Sequence, residues 1–122
     1  MMKLRHTCVL IAVAAACLAS AFAAEPAERV FELAIVNGKV PKAMQVIRVT
    51  QGENVTLELT TDRAIALHLH GYDIEREVKP GTVTELAFKA QATGRFPMNV
   101  HEHGRSGGHG ERVLFYLEVH PR

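Results

Sequence analysis

The sequence predicts an all-β fold, a Greek-key antiparallel β-sandwich or barrel of about eight strands. Three observations predict it. Short apolar segments alternate with period two. Turn signals rich in Gly, Pro, Asn and Asp separate them at regular spacing. No stretch after residue 23 carries the period of a helix of ordinary length.

The first 23 residues are set apart from that fold. Lys3 and Arg5 form a basic start, residues 8–20 are apolar, and Ala21-Phe22-Ala23 has the small–x–small pattern of a signal-peptidase site. The apolar run is shorter than the roughly 20 residues a spanning helix needs, so cleavage after Ala23 is expected and no membrane span after it. An alternative is lipoprotein processing before Cys17. Removing 23 of the 122 residues leaves 99, as one domain over residues 24–122. It also removes Cys8 and Cys17, the two cysteines of the chain, so the exported protein has no disulfide, no thiolate nucleophile and no Cys-ligated metal. Loss of Lys3 and Arg5 takes the net charge from +1 to −1. The remaining cations are scattered, which argues against a nucleic-acid partner.

The strands follow in order. Residues 30–36 place Phe31, Leu33 and Ile35 on one face, and Asn37-Gly38 turns. Residues 44–50 carry Val46, Ile47 and Val49, and residues 51–54 form a second turn. Val55, Leu57 and Leu59 then alternate with Thr56, Glu58 and Thr60, the pattern of a half-buried strand. Residues 64–72 set Ile65, Leu67 and Leu69 against Ala66, His68 and His70. Residues 75–79 are short and charged, as suits an edge strand. Residues 83–89 alternate through Val83, Leu86 and Phe88, with a slip that predicts a bulge. Residues 95–100 and 112–119 complete the set, the latter with Val113, Phe115, Leu117 and Val119 on one face.

Six of the seven histidines follow the leader. His68 and His70 form one His-x-His pair, and His101 and His103 another. Residues i and i+2 of a strand share a face, so both rings of a pair can look the same way. His109 lies in Gly-Gly-His-Gly, where glycine freedom lets the ring fold back over the strand ends. Imidazole is the commonest protein metal ligand, and nitrogen-rich sites suit copper and zinc. The expectation is a metal site at one end of the sandwich. One ring of each pair is as readily a surface residue, and His109 a residue of a loose loop. Met98 reads as core before soft axial ligand, Met44 as core or rim, and Glu102 as an oxygen ligand or as simply exposed. His120 should stand at the opposite pole from the loop, solvated and without a role.

Over about 90 residues the chain resembles the cupredoxin family. The likeness rests on the turn Val49-x-x-Gly52-Glu53-x-Val55 and on His70-Gly71-Tyr72-Asp73-Ile74, similar to the run that holds the family's first copper histidine. It rests also on Phe88-x-Ala90 leading to Gly94-Arg95-Phe96, and on the final strand, residues 114–119. His68-Leu69-His70-Gly71 is similar to a motif of multicopper oxidases, which share the fold. Counted from Gly94, the family's cysteine slot holds Val100, its second histidine slot His103, and its axial slot falls near Gly108-His109. The chain thus looks like a small exported cupredoxin lacking the copper-ligand Cys, and the thiolate that makes a blue-copper site is gone.

The resemblance implies copper held by His70, His103 and His109, with His101 and then His68 in reserve, and zinc as the alternative metal. The expected role is copper binding through histidines for sequestration or delivery, in copper homeostasis of the cell envelope. A copper-transport or copper-accepting protein would be the partner, and the periplasm the location in a Gram-negative source. Histidine ligation predicts affinity that falls below about pH 6.5. The alternatives are a small His-ligated metalloenzyme, an electron-transfer relative, and a metal-free structural or interaction module.

Overall fold

The structure is a computed structural model that describes residues 23–102 and 111–122. Eight strands run in chain order: β1 (Glu28–Ile35), β2 (Val46–Thr50), β3 (Asn54–Thr61), β4 (Ile65–Leu69), β5 (Ile74–Val78), β6 (Thr84–Lys89), β7 (Gly94–Glu102) and β8 (Arg112–His120). A single 3₁₀ turn, Lys42–Met44, follows Pro41, whose ring keeps the chain out of the strand just before β2. The strands form two sheets, in the order β1-β3-β6 and β2-β8-β7-β4-β5.

The expected sandwich of about eight strands is therefore present, with one amendment. Four of the ladders between described residues are antiparallel, but β1 pairs with β3 and β2 with β8 in parallel. Parallel neighbours need long crossovers, which no local turn signal announces.

Period two builds the core. Leu33 and Ile35 of β1, Val55, Leu57 and Leu59 of β3, and Ile65, Leu67 and Leu69 of β4 all point between the sheets. Met98 and Val100 of β7 and Phe115, Leu117 and Val119 of β8 meet them. Among the described residues no polar or charged residue is buried in this layer. Each large side chain so buried stabilises the fold by about 1.5–3 kcal/mol relative to exposure.

Two local expectations are corrected. The bulge predicted near residues 83–89 is absent: β6 pairs with β3 in unbroken register from Thr84 to Lys89. Val83 lies outside the strand and is 63% exposed, so the apparent slip is turn sequence rather than a bulge. The bulge lies instead between β7 and β8. Met98 pairs with Phe115 but Asn99 with Val113, which leaves Leu114 as an extra residue. Val113 is consequently 41% exposed and does not share the face of Phe115.

At one pole an aromatic latch closes the sandwich. The Tyr72 hydroxyl donates to the Ala92 carbonyl at 2.8 Å and accepts the Ala92 N–H at 3.1 Å. Its ring packs on Phe88 and Phe96, with centroids 5.2 and 5.0 Å away. Gly71 makes the approach possible. Its φ is +86°, and a Cβ there would collide with the Phe96 ring.

Candidate metal centre

Strand β4 sets the centre. Ile65, Leu67 and Leu69 face the core, so Ala66, His68 and His70 face outward. The two imidazole rings lie side by side, 4.0 Å between centroids and inclined by 47°. On β7, Met98 and Val100 point inward, so Asn99 and His101 join the outer face, opposite His68 and Ala66 respectively.

The Leu114 bulge completes the set. Counting back from buried Phe115 with period two would put Val113 and Glu111 inward. The extra residue reverses that phase, so Leu114 and Phe115 are both buried and Glu111 turns out beside the histidines. Glu111 Oε1 then lies 3.0 Å from His70 Nε2, 3.4 Å from His101 Nε2 and 3.9 Å from His68 Nδ1. One donor atom each from His68, His70 and Glu111 falls within 4.8 Å of the others.

Hydrogen bonds fix the charge state of the carboxylate. The His70 ring and then the Asn99 amide donate to Glu111, and the charge on His70 and His101, when protonated, adds to them. Together they hold its carboxyl far below the usual range, at about 2. Asn99 Nδ2 is 3.0 Å from His70 Nε2, and Asn99 Oδ1 is buried without a partner. Asp73 approaches from the rim, 3.6 Å from His68 Nε2.

The donor chemistry fits a divalent transition metal. Two imidazoles and an ionised carboxylate match the nitrogen and oxygen preferences of Cu(II) and Zn(II). An open pocket of about 260 Å³ adjoins the donors, floored by Ala66 and flanked by His68, His101, Glu75 and Glu77. It leaves room on one side of the centre for an incoming ligand.

The predicted site residues divide into three groups. His68 on β4 and His70 just after its end stand together, and His101 reaches the same carboxylate. His103 and His109 lie outside the described residues. His120 stands at the far end of β8, opposite Thr50 of β2 and 3.5 Å from Glu118, remote from the other described histidines. Met98 and Val100 are both fully buried on the core face.

Of the described residues, His68, His70 and His101 gather on the outer face of the five-stranded sheet, while His103 and His109, expected at one end of the sandwich, lie outside them. His101 aligns with Ala66 near the start of β4, whereas the His70 N–H bonds to Pro97 O at the other end. Glu111 spans that separation. Sequence reasoning passed over Glu111 and Asn99. The signal for Glu111 was the adjacent bulky pair Leu114-Phe115, which breaks the alternation of the last strand.

No protein-family model and no curated protein sequence matches the chain. Solved structures do. A chain of a heme-copper terminal oxidase dimer matches 77% of this chain at 20% identity and TM-score 0.57, and 65% of its own length is covered. Blue copper oxidase from Nitrosomonas europaea matches 78% at 22% identity and TM-score 0.57, with 39% of its length covered. The periplasmic domain of subunit II of cytochrome oxidase from Bradyrhizobium japonicum matches 76% at 14% identity and TM-score 0.55, with 83% of its length covered. The chain thus spans less than two thirds of the two oxidase chains. The likeness is one of fold: the sandwich is cupredoxin-like. Among the described residues no helix is long and apolar enough to cross a membrane.

Proposed function

We propose that this cupredoxin-like domain is an exported protein that binds copper through histidines and sequesters or delivers it in the cell envelope. Zinc is the alternative ion. The observation that carries the reading is the convergence of His68, His70 and Glu111, within 4.8 Å, on an outward-facing sheet. His101 stands beside them through Glu111. His103 and His109 are the further candidates from the segment that joins β7 to β8. The copper proteins that share the fold support the metal, and the leader over residues 1–23 supports export to the periplasm of a Gram-negative source.

The position of the centre suits exchange. A surface site bordered by an open pocket lets a donor from a copper-transport or copper-accepting protein reach the ion while the histidines still hold it. A buried site at the pole would shield its ion from such attack. Without a cysteine thiolate, electron transfer of the blue-copper kind is not the role. The pocket over Ala66 also favours a second reading, a small His-ligated metalloenzyme whose substrate would sit there.

The test is metal retention. The protein purified after export is given one equivalent of Cu(II), desalted, and examined by elemental analysis, paramagnetic resonance and visible absorption. The expected result is one retained copper with nitrogen hyperfine splitting and no intense band near ~600 nm, where thiolate-to-copper transitions fall. The double variant His68→Ala, His70→Ala should lose the copper. Retention unchanged in that variant, or no retention at all, would leave a metal-free interaction module. Turnover of a small substrate beyond that of free copper would favour the enzyme.

A further inference from the structure

We infer that the centre is built for the oxidised, divalent ion and holds Cu(II) in preference to Cu(I), with Glu111 as the residue that sets the preference. The inference rests on the proposed copper site and names the form of its cargo. Three observations on the same face carry it.

The first is the donor inventory. Cu(I) is soft and is selected by thiolate and thioether sulfur, whereas carboxylate oxygen favours the harder divalent ion. Met98, the sulfur nearest in sequence to the site, is fully buried on the opposite face of β7. Met44 packs against the core beside β2. Residues 103–110 contain neither Met nor Cys, and both cysteines lie within the leader. Sulfur is thus kept from the described centre by strand phase, and residues 103–110 bring none by composition.

The second is the orientation of Glu111. A whole residue is inserted in β8, and its effect is to bring an anionic oxygen to the histidines. A site of imidazoles alone would serve either oxidation state. The added negative charge stabilises the 2+ ion more than the 1+ ion, by elementary electrostatics.

The third is Asn99. Its Nδ2 lies 3.0 Å from His70 Nε2 and donates to Glu111, while its Oδ1 is buried with no partner. Asn99 thus acts through Glu111, whose oxygen its amide N–H steadies, and it brings no sulfur to the ion.

Preference for the oxidised ion has a direct electrochemical reading. Binding Cu(II) more tightly than Cu(I) lowers the potential of the bound couple below that of the free ions, by 59 mV for each tenfold. A hundredfold preference is thus a fall of about 120 mV. When an external one-electron donor reduces the bound ion, one electron converts Cu(II) to Cu(I) and no protein bond changes. The ion is then weakly held and free to move to a sulfur-bearing acceptor.

The experiment is voltammetry of the copper-loaded exported protein, with the Glu111→Gln variant beside it. The expected midpoint lies below that of the aqueous Cu(II)/Cu(I) couple, and Glu111→Gln raises it by about 60 mV, a tenfold loss of preference. An anaerobic competition for Cu(I) with a colorimetric chelator supplies the second arm, in which the variant and the parent should match. A midpoint at or above the aqueous couple would overturn the inference while leaving copper binding intact. An unchanged midpoint in Glu111→Gln would remove Glu111 as its cause. Copper lost before any wave is recorded would instead count against the proposed site itself.

Discussion

On the inner face of β4, Ile65, Leu67 and Leu69 are at most 1% exposed and belong to the hydrophobic core. One residue along, on the outer face, His68 and His70 are half-buried among a carboxylate, an amide and a third imidazole. The backbone is the same. What differs is how each face is specified. The inner face follows from alternation alone, which every strand repeats. The outer face depends on one inserted residue in a different strand. A core can be read from period two. A site that rests on a phase change cannot.

The comparison breaks if the outer face also carries the stability of the fold. Leu67→Ala should cost about 2–5 kcal/mol, read as a lower denaturant midpoint. His68→Ala in the metal-free protein should stay within about 0.5 kcal/mol of the parent. Copper retention should fall in His68→Ala. A destabilisation of similar size in both variants would mean that the two faces are not separable.

Deleting Leu114 sharpens the contrast next. Without the bulge, Val113 turns inward and Glu111 with it, so copper affinity should fall about as far as in Glu111→Ala, by roughly 10–100-fold. The same deletion should lower the denaturant midpoint, because a carboxylate then points toward the core. Retained affinity in the deletion variant would show that the bulge does not set the phase of Glu111.

A smaller effect is expected at Asn99. Asn99→Ala removes the buried, unpartnered Oδ1 and should change stability by no more than about 1 kcal/mol. It also removes the donor that steadies Glu111, so copper affinity should drop about tenfold. Titration calorimetry beside a melting curve separates the two. Stability lost without any change in affinity would make Asn99 a purely structural residue.

The smallest effect lies in acid. The Glu111 carboxyl is held at about 2, against an ordinary value of 4.5. Between those values the unfolded chain binds more protons at this group than the folded one, so stability rises with pH there. The contribution is complete above about pH 4.5 and fades as pH falls toward 2. Glu111→Gln should flatten that part of the stability profile of the metal-free protein.

Most of the fold was legible in the residues themselves. Val55, Leu57 and Leu59 mark β3 because alternate side chains must leave water together. Glu75 and Glu77 mark β5 as an edge, and it pairs with β4 alone. The misreadings share a cause. Val83, Leu86 and Phe88 suggested a bulge where a turn residue merely precedes a regular strand. Val113, Phe115, Leu117 and Val119 suggested a regular strand where Leu114 interrupts it. In both places apolar identity was taken for direction, and direction is set by pairing partners distant in sequence. Of the candidate site, His68, His70 and His101 could be named from their spacing. Glu111 could not, because its orientation depends on the pairing of Asn99 with Val113.

The parallel ladder between β2 and β8 has a consequence for the order in which the chain folds. Arg48 and Glu118, 70 residues apart, are bonded across it. Among the described residues β2 has no other strand partner, so it stays without one until residues 112–120 are available to it. Contacts of such separation form slowly, because a long loop must close before any pairing repays it. A chain so wired keeps β2 without its ladder until its last strand is made, so the five-stranded sheet closes late in folding.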